Sequence, residues 1–191
     1  MAGVATVAAG LVLIASGAFL AVFFSTWKEP WGRANDATIA LFAVLMIPAV
    51  FGVYDLYGYR SRWLVGIVAA VALAGVLTIA VSSGLTAAGR LDWRRSAKIG
   101  AFGFVGFVVC IVGVAAFALA WNGLPRAFAW FGIATAVLTA AAVSTAVRFT
   151  TGGGVEAIER GERPPAAAMA VLVAAFVCYP AWCIWLGLSL G

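Results

Sequence analysis

The chain contains no histidine. That absence removes the commonest zinc and haem ligand and the side chain most often used as a general base near neutral pH. Charge is scarce too. Only 10% of the 191 residues are Asp, Glu, Lys or Arg, and 65% are apolar, whereas a soluble domain has about 25% and about 45–50%. So few charges cannot clothe a globule of this size in water, and so apolar a chain does not stay disordered. The three cysteines, Cys110, Cys178 and Cys183, include no C-x-x-C pair and are too few for a disulfide scaffold. Apolar runs also lack any internal Lys, Arg or Glu. That excludes a retinal Schiff base and the Glu and Glu-x-x-His ligands of a di-iron bundle. These absences predict no metal site and no cofactor, and they leave an enzyme as the least favoured class.

What remains is an integral membrane protein. A bilayer core of about 30 Å requires about 20 apolar residues in helix. Six stretches meet that length, at about residues 4–26, 37–54, 63–87, 99–121, 127–147 and 165–190. They form one transmembrane domain over residues 1–191. The runs are continuously apolar and rich in alanine, without the ten-residue alternation of barrel strands, so the expected class is an all-α, polytopic helical bundle. The first stretch has no basic residue before it and is longer than the apolar core of a signal peptide, so it reads as a retained span. Pro48 and Pro180 fall within spans and are expected to kink them.

Basic residues divide unevenly between the loops. Those after spans one, three and five carry Lys28 and Arg33, then Arg90, Arg94, Arg95 and Lys98, then Arg148, Arg160 and Arg163. Those after spans two and four carry only Arg60, Arg62 and Arg126. The positive-inside rule puts the loops with Arg33, Arg94 and Arg160 in the cytoplasm of a multi-pass cell-membrane protein, with both termini outside. Six short spans resemble in size the substrate-capture subunits of vitamin uptake systems, but those keep both termini inside. The net charge of +5 sits in short loops, which favours anionic lipid headgroups over nucleic acid as the partner. Trp27, Trp31, Trp63, Trp93, Trp121, Trp130, Trp182 and Trp185 lie near span ends, as in an aromatic belt.

Two turns look alike. Trp27, Pro30 and Arg33-Ala34 correspond to Trp121, Pro125 and Arg126-Ala127. If the likeness extends to the flanking spans, the chain is a 3+3 inverted repeat of the kind found in transporters.

Polar side chains of interest stand at span ends. Asn35 and Asp36 precede the second span, where either suits the cap of its first turn, and Arg33 beside them makes the alternative a polar latch. Asp55 lies in the run Tyr54-Asp55-Leu56-Tyr57-Gly58-Tyr59-Arg60. This concentration of tyrosine, one acid and arginine is a candidate recognition site or gate, with an interfacial rim as the plainer expectation. Ser16, Thr78, Thr135, Thr139 and Ser144 are the hydroxyls that could serve a permeant. Glu156, Glu159 and Arg160 belong to an expected short surface helix. Gly100, Gly103 and Gly106, three apart on the fourth span, predict close helix packing or a homo-oligomer. Cys178 and Cys183 are more apt to pack as small apolar groups than to form a redox pair.

Two functional classes follow. One is a transporter, channel or transporter subunit for a small neutral or apolar solute. The other is a non-catalytic accessory or structural subunit of a membrane complex, or a lipid-binding protein. A cavity reaching the midplane favours the first, and a solid apolar bundle favours the second.

Overall fold

The computed structural model describes residues 1–26, 28–151 and 165–191. Six helices make up these residues: α1 (Ala2–Thr26), α2 (Glu29–Tyr57), α3 (Arg62–Ala87), α4 (Trp93–Trp121), α5 (Arg126–Thr151) and α6 (Ala166–Leu190). Each is long and apolar enough to cross a membrane, and no strand occurs among the described residues. The protein is therefore an all-helical, six-span membrane bundle.

Two spans begin earlier than hydropathy places them. α2 starts at Glu29, with Pro30 in its first turn, so Asn35 and Asp36 lie inside the helix and do not cap it. α4 starts at Trp93, and Arg94, Arg95 and Lys98 occupy its first turns. Hydropathy sees only the part of a helix that sits in hydrocarbon, whereas its hydrogen-bond ladder continues into the headgroup layer. The caps are local. The Asp92 carboxylate accepts from the amides of Arg94 (3.1 Å) and Arg95 (3.3 Å), and the Ser61 hydroxyl accepts from Leu64 (3.4 Å). α4 ends on Asn122 in the left-handed region (φ 57°), the usual exception for a non-glycine cap. α2 and α6 run on through Pro48 and Pro180. Each proline leaves the carbonyl four residues before it without a ladder donor.

The helices form a closed ring in chain order, each packed on its neighbours in sequence and α6 on α1. α2 also touches α4 and α6 across the middle, whereas α5, its counterpart in a 3+3 repeat, touches neither α1 nor α3. The six ring seams map onto one another under such a repeat, and among the helix contacts only these lesser ones across the middle depart from its two-fold pattern. The turns differ too. Pro30 sits in the first turn of α2, while the Pro125 carbonyl, just before α5, accepts from Ala129 (3.3 Å).

Lipid is as apolar as leucine, so close backbone approach and polar contacts must hold the ring together. At the α1–α6 seam, a methyl built on Gly3 would meet the Gly187 carbonyl oxygen at 2.5 Å. At the α3–α4 seam, one on Gly75 would meet the Gly103 oxygen at 2.5 Å and the Gly106 Cα at 2.8 Å. Gly103 and Gly106 therefore serve an internal seam, with Gly75 as their partner. Gly100 is different: its nearest neighbour would be the Ser82 hydroxyl at 4.0 Å.

These contacts fix which ends lie together. Gly52, near the end of α2, meets Ala2 and Leu190. Gly123, in the α4–α5 turn, meets Tyr57. Both termini and the α2–α3 and α4–α5 turns thus share one end of the bundle. The α1–α2 and α3–α4 turns share the other, where the Arg33 guanidinium reaches Gly89. Lys28, Arg33, Arg90, Arg94, Arg95, Lys98 and Arg148 belong to this second, basic end. Arg160, Arg163 and the expected short helix lie outside the described residues.

Candidate functional site

One end of the bundle interior is solid. Tyr57 is 1% exposed and packs on Phe117 (ring centroids 5.6 Å) and Trp121 (6.1 Å), which themselves stack at 5.0 Å. Trp182, fully buried, stacks on Phe128 at 5.7 Å, and Trp185 meets Phe128 and Phe131. Trp182 is thus a core residue and not part of an interfacial belt: it faces the inside of the ring, where its large ring fills space that aliphatic residues would leave. Trp63 and Trp130, by contrast, are well exposed on the outer surface.

At the middle of the bundle three rings meet. Phe42 on α2, Phe107 on α4 and Tyr179 on α6 each stand near the centre of their helix. Their centroids are 5.4 Å (Phe42–Phe107), 5.7 Å (Phe42–Tyr179) and 5.8 Å (Phe107–Tyr179) apart, and both contacts of Tyr179 are edge-on. Such edge-to-face packing is favoured by the ring quadrupoles. All three are at most 4% exposed, so the triad closes the ring at mid-depth. The Tyr179 hydroxyl is enclosed there with no hydrogen-bond partner.

On the basic side of the triad the interior opens into a cavity of about 290 Å³, to which all six helices contribute. Tyr179 and Phe104 line its deep part. Ala97, Gly100, Ala101, Ala142, Ala146 and Ala175 line its walls, and Asp36, Ser83, Thr86, Ser96 and Thr139 are its polar groups. The volume exists because the wall positions carry methyl groups or hydrogens where the solid half carries indoles and phenyls. From Ser96 to Phe104 is eight residues of α4, so the cavity is about 12 Å deep at 1.5 Å per residue. Among the described residues, Asp36 is the one carboxylate lining it, and no Lys or Arg does.

The expected polar groups separate on this frame. Asp36 lines the cavity. Asn35, 7% exposed, points between helices and accepts a hydrogen bond from the Ser16 hydroxyl (2.8 Å), which is wholly buried. This α1–α2 bond lies within the apolar part of the bundle, where such bonds are worth about 0.6–2 kcal/mol. Arg33 is exposed at the basic rim. Tyr54, Asp55, Tyr57 and Arg60 are at the opposite end, remote from the cavity. Asp55 is exposed and, among the described residues, has no ion pair with Arg60 or Arg62. Arg60 instead lies 4.9 Å over the Tyr59 ring, and Tyr57 is part of the solid core. Of the hydroxyls singled out from sequence, Thr139 lines the cavity but donates to the Thr135 carbonyl (2.8 Å), and Thr135 donates to Phe131 (2.8 Å). Thr78 and Ser144 face outward.

Sequence reasoning missed the central triad and the hydroxyls of Ser83, Thr86 and Ser96. The pattern Ser82-Ser83-x-x-Thr86 at the end of an apolar span was the available signal for the latter. Cys110 and Cys183 are buried and Cys178 half-buried, all as free thiols. No group of acidic or cysteine side chains that could hold a metal occurs among the described residues. No family model matches the chain, and neither a search of curated proteins nor one of solved structures finds a match.

Proposed function

We propose that the protein is a carrier for a small neutral solute with a largely apolar body, admitted from the end of the bundle that bears the basic residues. The observation that supports this is the one-sided cavity, which runs to mid-depth and stops at the Phe42–Phe107–Tyr179 triad. An interior open to one side and closed at the middle is half of an alternating-access cycle. Its volume of about 290 Å³ is at the lower end of ligand pockets, which run from about 300 Å³. At about 30 Å³ per water-sized group, it holds a solute of about ten heavy atoms. Among the described lining residues there is one carboxylate and no Lys or Arg, which disfavours anions, because an uncompensated charge is costly at this depth.

The test combines access and flux. In a background with Cys110→Ala, Cys178→Ala and Cys183→Ala, an Ala101→Cys thiol is expected to react with a small water-soluble thiol reagent from the side of the basic loops only. Proteoliposomes are expected to take up labelled short-chain diols or amides in a saturable manner, and Gly100→Phe, which fills the cavity, is expected to abolish that uptake. Equal labelling from both sides, or uptake no faster than in empty liposomes across the panel, overturns the carrier and favours an accessory role.

A further inference from the structure

The buried hydroxyls of the bundle fall into two sets. Eight Ser and Thr residues are buried among the described residues: Thr6, Ser16, Ser82, Ser83, Thr86, Ser96, Thr135 and Thr139. Six donate to an acceptor. Ser16 donates to Asn35, and the other five close onto a carbonyl of their own helix three or four residues back. The side chains of Ser83 and Ser96 do neither. Both are 8% exposed, and both line the cavity. Their hydroxyls are not enclosed, unlike the partnerless Tyr57, Tyr179 and Trp182 groups; they open onto the cavity, where an entering molecule can meet them. In a helix, serine can close onto the preceding turn; at Ser83 and Ser96 the hydroxyl instead stays available on the cavity wall.

The α3–α4 register brings these groups together. Gly75 faces Gly103 and Gly106, Ile79 faces Gly103, and Ser82 faces Gly100. Continued along the two antiparallel helices, this register sets Thr86 level with Ser96 and Ser83 about one turn deeper. Thr86 donates to the Ser82 carbonyl (2.9 Å) and keeps its lone pairs. The wall thus presents two unused donors and several acceptors within about 5 Å of depth. Below it the lining is apolar down to Phe104 and Tyr179 except for Thr139, whose hydroxyl donates to the Thr135 carbonyl of its own helix.

We infer that Ser83 and Ser96 form a recognition site in the cavity for the hydrogen-bonding head of a neutral, amphiphilic solute, whose apolar body lies toward Tyr179. This rests on the cavity being a binding site, as proposed above. It adds the orientation of the solute and the residues that select it. A head with an acceptor oxygen takes the serine donors, and a hydroxyl or amide head also donates to the serine or Thr86 oxygens. A hydrocarbon of the same shape leaves them unsatisfied.

Benzyl alcohol and toluene form a matched pair of suitable size. Radiolabelled forms of each are titrated onto the full chain in nanodiscs, with empty nanodiscs as the background. Saturable binding of benzyl alcohol, at least about fivefold tighter than toluene, is expected. Combined Ser83→Ala and Ser96→Ala is expected to remove that preference while leaving toluene unchanged, because two neutral hydrogen bonds together correspond to a factor of about five or more. Ser83→Thr with Ser96→Thr retains the hydroxyls and is expected to restore part of the preference, which separates lost recognition from lost folding. Saturable binding of both probes with no preference, or a preference indifferent to the alanine pair, overturns the serine site and leaves the cavity standing. Saturable binding of neither probe overturns the site together with the cavity as a binding site.

Discussion

The two halves of the bundle interior are built from the same apolar alphabet, yet one is solid and the other hollow. On the side of the termini, Tyr57, Phe117, Trp121, Phe128 and Trp182 fill the ring. On the basic side, alanines and Gly100 line much of the wall and leave about 290 Å³. Hydrophobicity alone does not separate these halves. Side-chain volume does, and the three rings of Phe42, Phe107 and Tyr179 mark the boundary. In a membrane this contrast has a particular meaning. Lipid rewards no burial of leucine against leucine, so stability follows packing, and a half that gives up packing does so at a loss that a ligand can make good.

The largest expected effect probes the solid half. Trp182→Ala removes a wholly buried indole and is expected to lower unfolding stability by about 3–5 kcal/mol, measured by steric trapping or denaturant titration in mixed micelles. Phe176→Ala, at the wall of the cavity and only partly buried, is expected to lose under about half as much. Equal losses would erase the distinction between the halves. Next come the glycines of α4. A methyl on Gly103 would stand 2.5 Å from Ile79 and 2.9 Å from the Gly75 carbonyl oxygen, so Gly103→Ala is expected to destabilise by about 1–3 kcal/mol. Gly100→Ala, whose methyl meets nothing nearer than 4.0 Å, is expected to change stability by less than about 0.5 kcal/mol. The smallest expected loss concerns polar contacts, above only the near-neutral Gly100→Ala. Ser16→Ala leaves the Asn35 carboxamide oxygen unsatisfied and is expected to cost about 1 kcal/mol, with solute binding unchanged because neither residue lines the cavity.

Sequence made the six spans legible because continuous apolar runs in a membrane protein carry a strong length signal. It underestimated α2 and α4, whose polar first turns belong to helix but not to hydrocarbon. The interior face of each span was much harder to read. A soluble helix shows its core by contrast with a charged face, whereas here Phe42 faces a protein core and Leu41, beside it, faces outward, and both are apolar. The polar cluster of Tyr54, Asp55 and Arg60 drew notice through its composition, but its members divide between the solid core and the surface. Ser83 and Ser96 drew none: Ser83 lies beside Ser82 at the end of an apolar span and Ser96 among the basic residues of a loop end, and neither setting shows which hydroxyl faces the interior.

The closed ring also bears on how the protein is made. Gly3 and Gly187 touch, although they lie at opposite ends of the chain. The other five seams of the ring join helices adjacent in sequence and can form as the ribosome delivers them. This one awaits α6, which emerges after four intervening spans. Until then the face of α1 that carries Gly3 and Gly10 stands open to lipid or to a membrane insertase, and the half-built bundle is a horseshoe. The ring therefore closes only after α6 has entered the membrane, and a chain truncated before α6 would leave both rims of that horseshoe for quality control to find.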